Sequence, residues 1–140
     1  MNKQIIVSLG LVFDKPREVI HKNKVLLTQR KGVPDKWELP GGKVEFGECP
    51  SHTAIREVKE ETGYDVVDVR MIPLVYSLVK KGNGKSTQIQ ILLLCYECIK
   101  LDGEITYGDS SVSNIQWFKI DELPFNNIID GSKDFILVGI

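Results

Sequence analysis

The sequence predicts a mixed α/β sandwich built around a central sheet. Three observations predict it. Runs of strand length, rich in β-branched and aliphatic residues, recur along the chain. One strong helical segment stands among them, and turns bearing glycine or proline separate the pieces. With 140 residues, 42% hydrophobic and 26% charged, the chain suffices for one domain with a buried core, expected to span 1–140.

The elements follow in order. Ile5 to Phe13 reads as a strand, Lys15 to Lys22 as a charged loop or hairpin around Pro16, and Val25 to Gln29 as a second strand. Lys31 to Lys36 is a turn through Gly32 and Pro34, and Trp37 to Leu39 is a short extended piece ended by Pro40, Gly41 and Gly42. Pro50 to Thr62 is the clearest helix: Pro50 suits the first helical position and Gly63 the left-handed cap, while Ala54, Ile55 and Val58 share a core-facing side. Val66 to Leu78 and Gln88 to Ile99 read as strands joined by a turn at Gly82 and Gly84, and Asn114 to Ile120 as another. Asp121 to Pro124 starts a turn or short helix, with room for a second short helix after it.

A net charge of −1 argues against bulk nucleic-acid binding, though a free nucleotide needs only a local pocket. The polar start and the short first apolar run predict no secretory leader, and no run is long enough to cross a bilayer. Three cysteines, an odd count, argue against a disulfide framework and for a cytoplasmic, reducing compartment.

The chemistry concentrates on the helix. Glu57, Glu60 and Glu61 project over an arc of roughly 100° on one face. Like charges at this spacing, close to the negative end of the helix dipole, destabilise by a few tenths to about one kcal/mol each in water. Half-buried, a close pair repels by ~3 kcal/mol at an effective dielectric of ~20. A divalent cation turns that repulsion into binding, and hard oxygen ligands favour magnesium or manganese. A solvated acidic face softened by Arg56 and Lys59 is the alternative that the helix alone leaves open.

The preceding loop bears on the choice. Gly41 and Gly42 let the backbone approach a ligand closely, and Glu48 lies just ahead of the helix. Gly42, Glu48, Arg56, Glu57, Val58, Glu60, Glu61, Gly63 and Tyr64 together match G-x5-E-x7-R-E-U-x-E-E-x-G-U, where U is bulky and apolar. The string resembles the Nudix box at every fixed position. Tyr64 stands where an aliphatic residue is more usual, and Cys49 where Ser or Thr commonly caps the helix.

The resemblance implies a Nudix-type α/β/α sandwich with a central mixed sheet and a loop–helix–loop metal site. Carried over, Glu57 and Glu61 bind Mg²⁺ (Mn²⁺ substituting), Glu60 assists as ligand or base, and the Gly41 carbonyl is a further ligand. Arg56 orients the glutamates, Glu48 supports the loop, and Gly42 and Gly63 shape its ends. Metal-bound phosphates and a carboxylate that deprotonates water then give phosphoanhydride hydrolysis. Asp109 is the candidate for an additional acid; it reads equally as a turn aspartate after Gly108.

The segment Leu26 to Gly47, with "LLTQRKG" and "KWELPGGKVEFGE", resembles the MutT-like, nucleotide-pool branch. That likeness assigns substrate contacts to Arg30, Glu38 and Leu39, and places Asn127 near a base-reading asparagine. Arg30 also reads as a surface residue at a strand end, and Asn127 as turn chemistry after Pro124. Trp37 and Phe125 suit base stacking or core packing. ADP-ribose-cleaving members usually carry a proline about fifteen residues past the box, and Val79-Lys80-Lys81 lacks one. The diadenosine-polyphosphate type usually places a tyrosine slightly later, and Gly82-Asn83 lacks one. The expected partner is therefore a nucleoside triphosphate, with the protein a monomer or homodimer. Other nucleoside diphosphate derivatives and a non-catalytic ligand sensor are the alternatives.

Other signals carry less. Cys95 and Cys98 lie three apart in a strand, which sends their thiols to opposite faces and argues against zinc. His21 and His52 read as exposed. Lys80, Lys81 and Lys85 form a basic hairpin tip, solvated or steering polyphosphate.

Overall fold

A computed structural model describes residues 2–16, 23–84 and 86–140. Most of the loop read at Lys15 to Lys22, with His21, and also Lys85 lie outside the described residues. The strands are β1 (Lys3–Phe13), β2 (Lys24–Arg30), β3 (Gly41–Lys43), β4 (Tyr64–Met71), β5 (Tyr76–Lys81), β6 (Gln88–Gly103) and β7 (Val112–Lys119). Helix α1 (Pro50–Thr62) follows β3, and α2 (Ser132–Gly139) closes the chain after 3-10 turns at Ile120–Glu122 and Phe125–Asn127.

The seven strands form one sheet in the order β4-β6-β1-β2-β7, with β3 also on β1 and β5 also on β6. β1 and β6 run parallel from Lys3↔Ile89 to Phe13↔Ile99, and the other pairs are antiparallel. β1 pairs with β3 over Val7 to Leu9, then with β2 at Phe13. The long β6 is likewise shared, with β5 on its first half and β4 on its second.

Alternating side chains feed two cores. On one face Val12, Leu26, Cys98, Val112 and Ile115 pack with Val58 of α1. On the other Leu9, Leu11, Phe13, Val25, Leu27 and Cys95 pack with Phe135 and Ile136 of α2. Each fully buried Leu, Phe or Val contributes about 1.5–3 kcal/mol, and the two clusters make this an α/β/α sandwich. Cys95 and Cys98 fall in different clusters, so the thiols do point apart.

α1 has the bounds its punctuation predicts. Pro50 occupies the first turn, and Gly63 takes φ 91°, where its N–H donates to the Lys59 carbonyl. Cys49 supplies no side-chain cap.

Several boundaries differ from the sequence reading. Val66 to Leu78 is two strands: β4 stops at Met71 and β5 starts at Tyr76. Pro73 lies in the break and has no N–H for a ladder. β6 runs on to Gly103, and the strand read from Asn114 begins at Val112. Asp68 adopts φ 55° in the irregular register of β4 between Val67 and Arg70. The second helix is α2, whose N-terminus is held by the Gly131 N–H donating to Asp134 Oδ2 at 3.1 Å.

Candidate active site

The site is built from the loop–helix segment. Positions 57 and 61 of α1 lie one turn apart, about 40° around the axis, on the flank toward β3. The Glu61 side chain is buried, and its Oε2 accepts the Gly41 N–H at 2.8 Å. Glu57 lies against Gly42, where an added Cβ would run into its carboxylate. A glycine is required there by close approach.

Position 60 lies about 100° from position 61 and about 40° from position 56. The side chains follow that division. Arg56 Nη1 donates to Glu57 Oε1 at 3.0 Å and to Glu60 Oε2 at 3.3 Å. Its Nε and Nη2 donate to Glu48 at 2.8 and 3.0 Å, and Glu48 also accepts the Thr53 hydroxyl at 2.6 Å. The Arg56 guanidinium, with Thr53, therefore holds the Glu48 carboxyl down at about 2. Glu48 ties the β3–α1 loop to the helix, and Arg56 links that tie to Glu57 and Glu60.

Glu57 and Glu61 both face the Gly41–Gly42 backbone, near enough for the charge of Glu57 to act on Glu61. Burial pushes Glu61 up to about 9; the Gly41 N–H opposes this, and the Glu57 charge adds to it. Burial also raises Glu57, against the pull of Arg56. Both carboxyls are thus held above the ordinary glutamate range.

These groups stand at one end of a cavity of about 530 Å³, which Arg30, Glu38, Leu39 and Asp109 also line. Arg30 makes a two-pronged contact with Glu38, both distances 2.7 Å. Asp109 accepts the Ser111 N–H and hydroxyl at 2.8 and 2.6 Å, so it closes a turn while lining the cavity. The Leu39 N–H donates to Ser132 Oγ at 3.0 Å, which ties this wall to α2. Gly63 caps α1 away from the cavity.

Two expectations are corrected. Glu60 does not join Glu57 and Glu61: its side chain is 51% exposed, engages Arg56 and lies outside the cavity lining. Among the described residues no group of three or more acids, histidines or cysteines converges as a ready metal cluster. Asn127 is exposed and off the cavity, in a 3-10 turn whose backbone pairs with Trp37 and Pro124. Trp37 meets Phe118 edge-to-face at 4.8 Å, and both it and Phe125 pack on the core.

Sequence reasoning missed Asp130 and Ser132, and the aliphatic wall of Ile5, Val7, Leu78, Ile91 and Leu93; Lys80, read as part of a basic hairpin tip, also lines the cavity. Two-residue alternation was the available signal for the wall, but the partner strands were not. A second cavity of about 410 Å³ lies between Phe13, Asp68 and Arg70 and holds none of the box residues.

A family model described as the NUDIX domain matches residues 10–137. The chain belongs to the Nudix family. Among its Nudix relatives is the ADP-ribose pyrophosphatase of Methanocaldococcus jannaschii, 34% identical over 106 residues, covering 73% of this chain and 58% of that protein. The 8-oxo-dGTP diphosphatase of Proteus vulgaris is 33% identical over 73 residues, covering 52% of this chain and 62% of that protein. The chain thus spans less than two thirds of the length of these curated relatives. The crystal structure of a MutT Nudix hydrolase from Burkholderia pseudomallei superposes with a TM-score of 0.76, covering 98% of each chain at 21% identity, which supports the shared fold. The Gly42-to-Tyr64 string is this chain's Nudix box, and it contributes Glu57 and Glu61 to the cavity, where Glu38 from ahead of the string joins them.

Proposed function

We propose that this Nudix protein is a Mg²⁺-dependent hydrolase that converts a nucleoside triphosphate to the monophosphate and pyrophosphate. One observation carries the reading: Glu57 and Glu61 line, beside Gly41 and Gly42, the end of a cavity fit for a small molecule. Two neighbouring carboxyls whose charged forms burial disfavours are a donor set suited to a divalent cation, which compensates the charge. Glu57, Glu61 and the Gly41 carbonyl would hold Mg²⁺, with Mn²⁺ substituting. When bound, the ion neutralises phosphate charge and acidifies water.

The chain's own groups do the rest. Arg56 opposes the effect of burial on Glu57 and aims its carboxylate, and Glu48 keeps Arg56 in place. Arg30, at the cavity mouth, is placed to meet a phosphate by exchanging its Glu38 partner. Asp109, held low by Ser111, is an ionised acid in the same cavity and a candidate base for water. Leu39 and the aliphatic wall offer an apolar seat for the nucleoside.

A second reading is hydrolysis of another nucleoside diphosphate derivative. The 34% identity to an ADP-ribose pyrophosphatase favours it; the missing proline at Val79-Lys80-Lys81 speaks against the ADP-ribose type. We read residues 1–140 as one Nudix unit acting in the cytoplasm, as a monomer or homodimer. Among the described residues no helix is long and apolar enough to cross a membrane.

A nucleotide screen with Mg²⁺, scored by product identity, tests the proposal. Monophosphate plus pyrophosphate supports it. Cleavage of substituted diphosphates alone supports the second reading, and binding without turnover contradicts both.

A further inference from the structure

We propose that Lys80 selects substrates whose end remote from the cleaved diphosphate presents a hydrogen-bond-accepting oxygen, either a base carbonyl or a sugar carboxylate. The proposal deepens, and rests on, the hydrolase reading of the same cavity.

The sheet register orders the cavity wall. Leu9 stands beside Gly41, at the carboxylate end. The next rows on that face are Val7–Leu93–Tyr76, then Ile5–Ile91–Leu78, then Lys3–Ile89–Lys80. Leu9 and the Lys80 row are therefore about 20 Å apart along the strand at ~3.3 Å per residue. The wall begins at acids, continues through the aliphatic Val7, Leu93, Ile5, Ile91 and Leu78, and ends at the Lys80 ammonium group. A substrate anchored by its phosphates at Glu57 and Glu61 lays its other end toward Lys80.

The charges point the same way. Glu38, Glu57, Glu61, Asp109 and Asp130 line the cavity against Arg30 and Lys80. Arg30 is paired with Glu38 and stands within reach of the Glu61 charge, so it serves the phosphate end. Among the described residues lining the cavity, Lys80 is the one cation without an acidic partner. Lysine has three donors and no acceptor, so it binds a carbonyl or carboxylate oxygen and gains nothing from an amino group. Asp130 and Ser132 lie beside the Leu93–Tyr76 row, nearer the carboxylates, and beyond them the Ile5–Ile91–Leu78 row has no hydrogen-bonding side chain, which leaves discrimination at the far end to Lys80. Lys81, one residue on, projects from the opposite face and supplies an internal control.

The test uses two matched pairs: inosine against adenosine triphosphate, and UDP-glucuronate against UDP-glucose. Each pair is read as a kcat/KM ratio with Mg²⁺ and as a Kd ratio by calorimetry with Ca²⁺. The wild type is expected to favour the acceptor-bearing member about tenfold in one pair, as for a hydrogen bond to a charged group. The responding pair tells base carbonyl from sugar carboxylate. Lys80→Met, which keeps the apolar stem, is expected to bring that ratio close to one. Lys80→Arg and Lys81→Met are expected to keep it. A wild type without preference, or a ratio unchanged in Lys80→Met, overturns the proposal, as does failure to bind either pair. A Lys80-dependent Kd ratio without turnover overturns the hydrolase reading instead.

Discussion

Replacing Glu61 by Gln should stabilise the metal-free protein at neutral pH while removing its response to magnesium. Burial holds the Glu61 carboxyl at about 9, against 4.5 for an ordinary glutamate. In the unfolded chain the group ionises near 4.5. Between pH 4.5 and 9 the folded state therefore binds a proton that the unfolded state does not, and stability falls as pH rises through that window. Each pH unit costs about 1.4 kcal/mol. At pH 7 the penalty is about 3 kcal/mol, an upper limit because the neighbouring Glu57 titrates with it. Gln has nearly the same shape, can accept the Gly41 N–H and donate to Glu57, and never ionises. In a chain of this size 3 kcal/mol is roughly 10 °C in Tm. Thermal unfolding with a chelator, at pH 5, 7 and 8.5, should show Glu61→Gln matching the wild type at pH 5 and exceeding it increasingly above. Adding Mg²⁺ should raise the wild-type Tm and leave the variant unchanged. Parallel pH profiles for the two proteins would refute the reasoning, since Glu61 would then carry no buried-proton penalty.

Three further outcomes are expected. Glu57→Gln should lower turnover by orders of magnitude with the circular dichroism spectrum intact, whereas Glu60→Gln, altering an exposed partner of Arg56, should cost less than about tenfold; equal losses in steady-state kinetics would contradict this division of roles. Gly42→Ala should abolish Mg²⁺-dependent stabilisation, because its Cβ displaces the Glu57 carboxylate, and calorimetric Mg²⁺ binding at wild-type affinity would contradict that. Asn127→Ala should leave the ranking of nucleotides unchanged, and a reordered substrate panel would mean that the exposed Asn127 side chain swings into the site.

Local chemistry was the legible part of this molecule. Pro50 and Gly63 bracket α1, and the spacing of Glu57 and Glu61 puts both at the same flank. The departure of Glu60 was also implicit, since it sits at the far end of the acidic arc and one turn from Arg56. The break at Pro73 had a signal, a proline that cannot donate to a ladder, but the apolar run around it reads as continuous strand. What the sequence hides is which distant strands become neighbours. Ile5, Ile91 and Leu78 meet only because β6 lies parallel to β1 and is shared with β5. Lys80 becomes a cavity residue for the same reason, and Asp130 and Ser132 because α2 folds back over the sheet. Asn127 failed in the opposite sense: its residue type suits a base edge, but the 3-10 turn commits its backbone and leaves the side chain outside.

Anomalous diffraction from crystals soaked in Mn²⁺ is the measurement closest to the claim that this acidic pair is a divalent-cation centre. The account predicts a peak within coordinating distance of both the Glu57 and Glu61 carboxylates, beside the Gly41 carbonyl, and its loss in Glu57→Gln. Manganese bound elsewhere, or two glutamates that stay in mutual contact with no peak beside them, would contradict it.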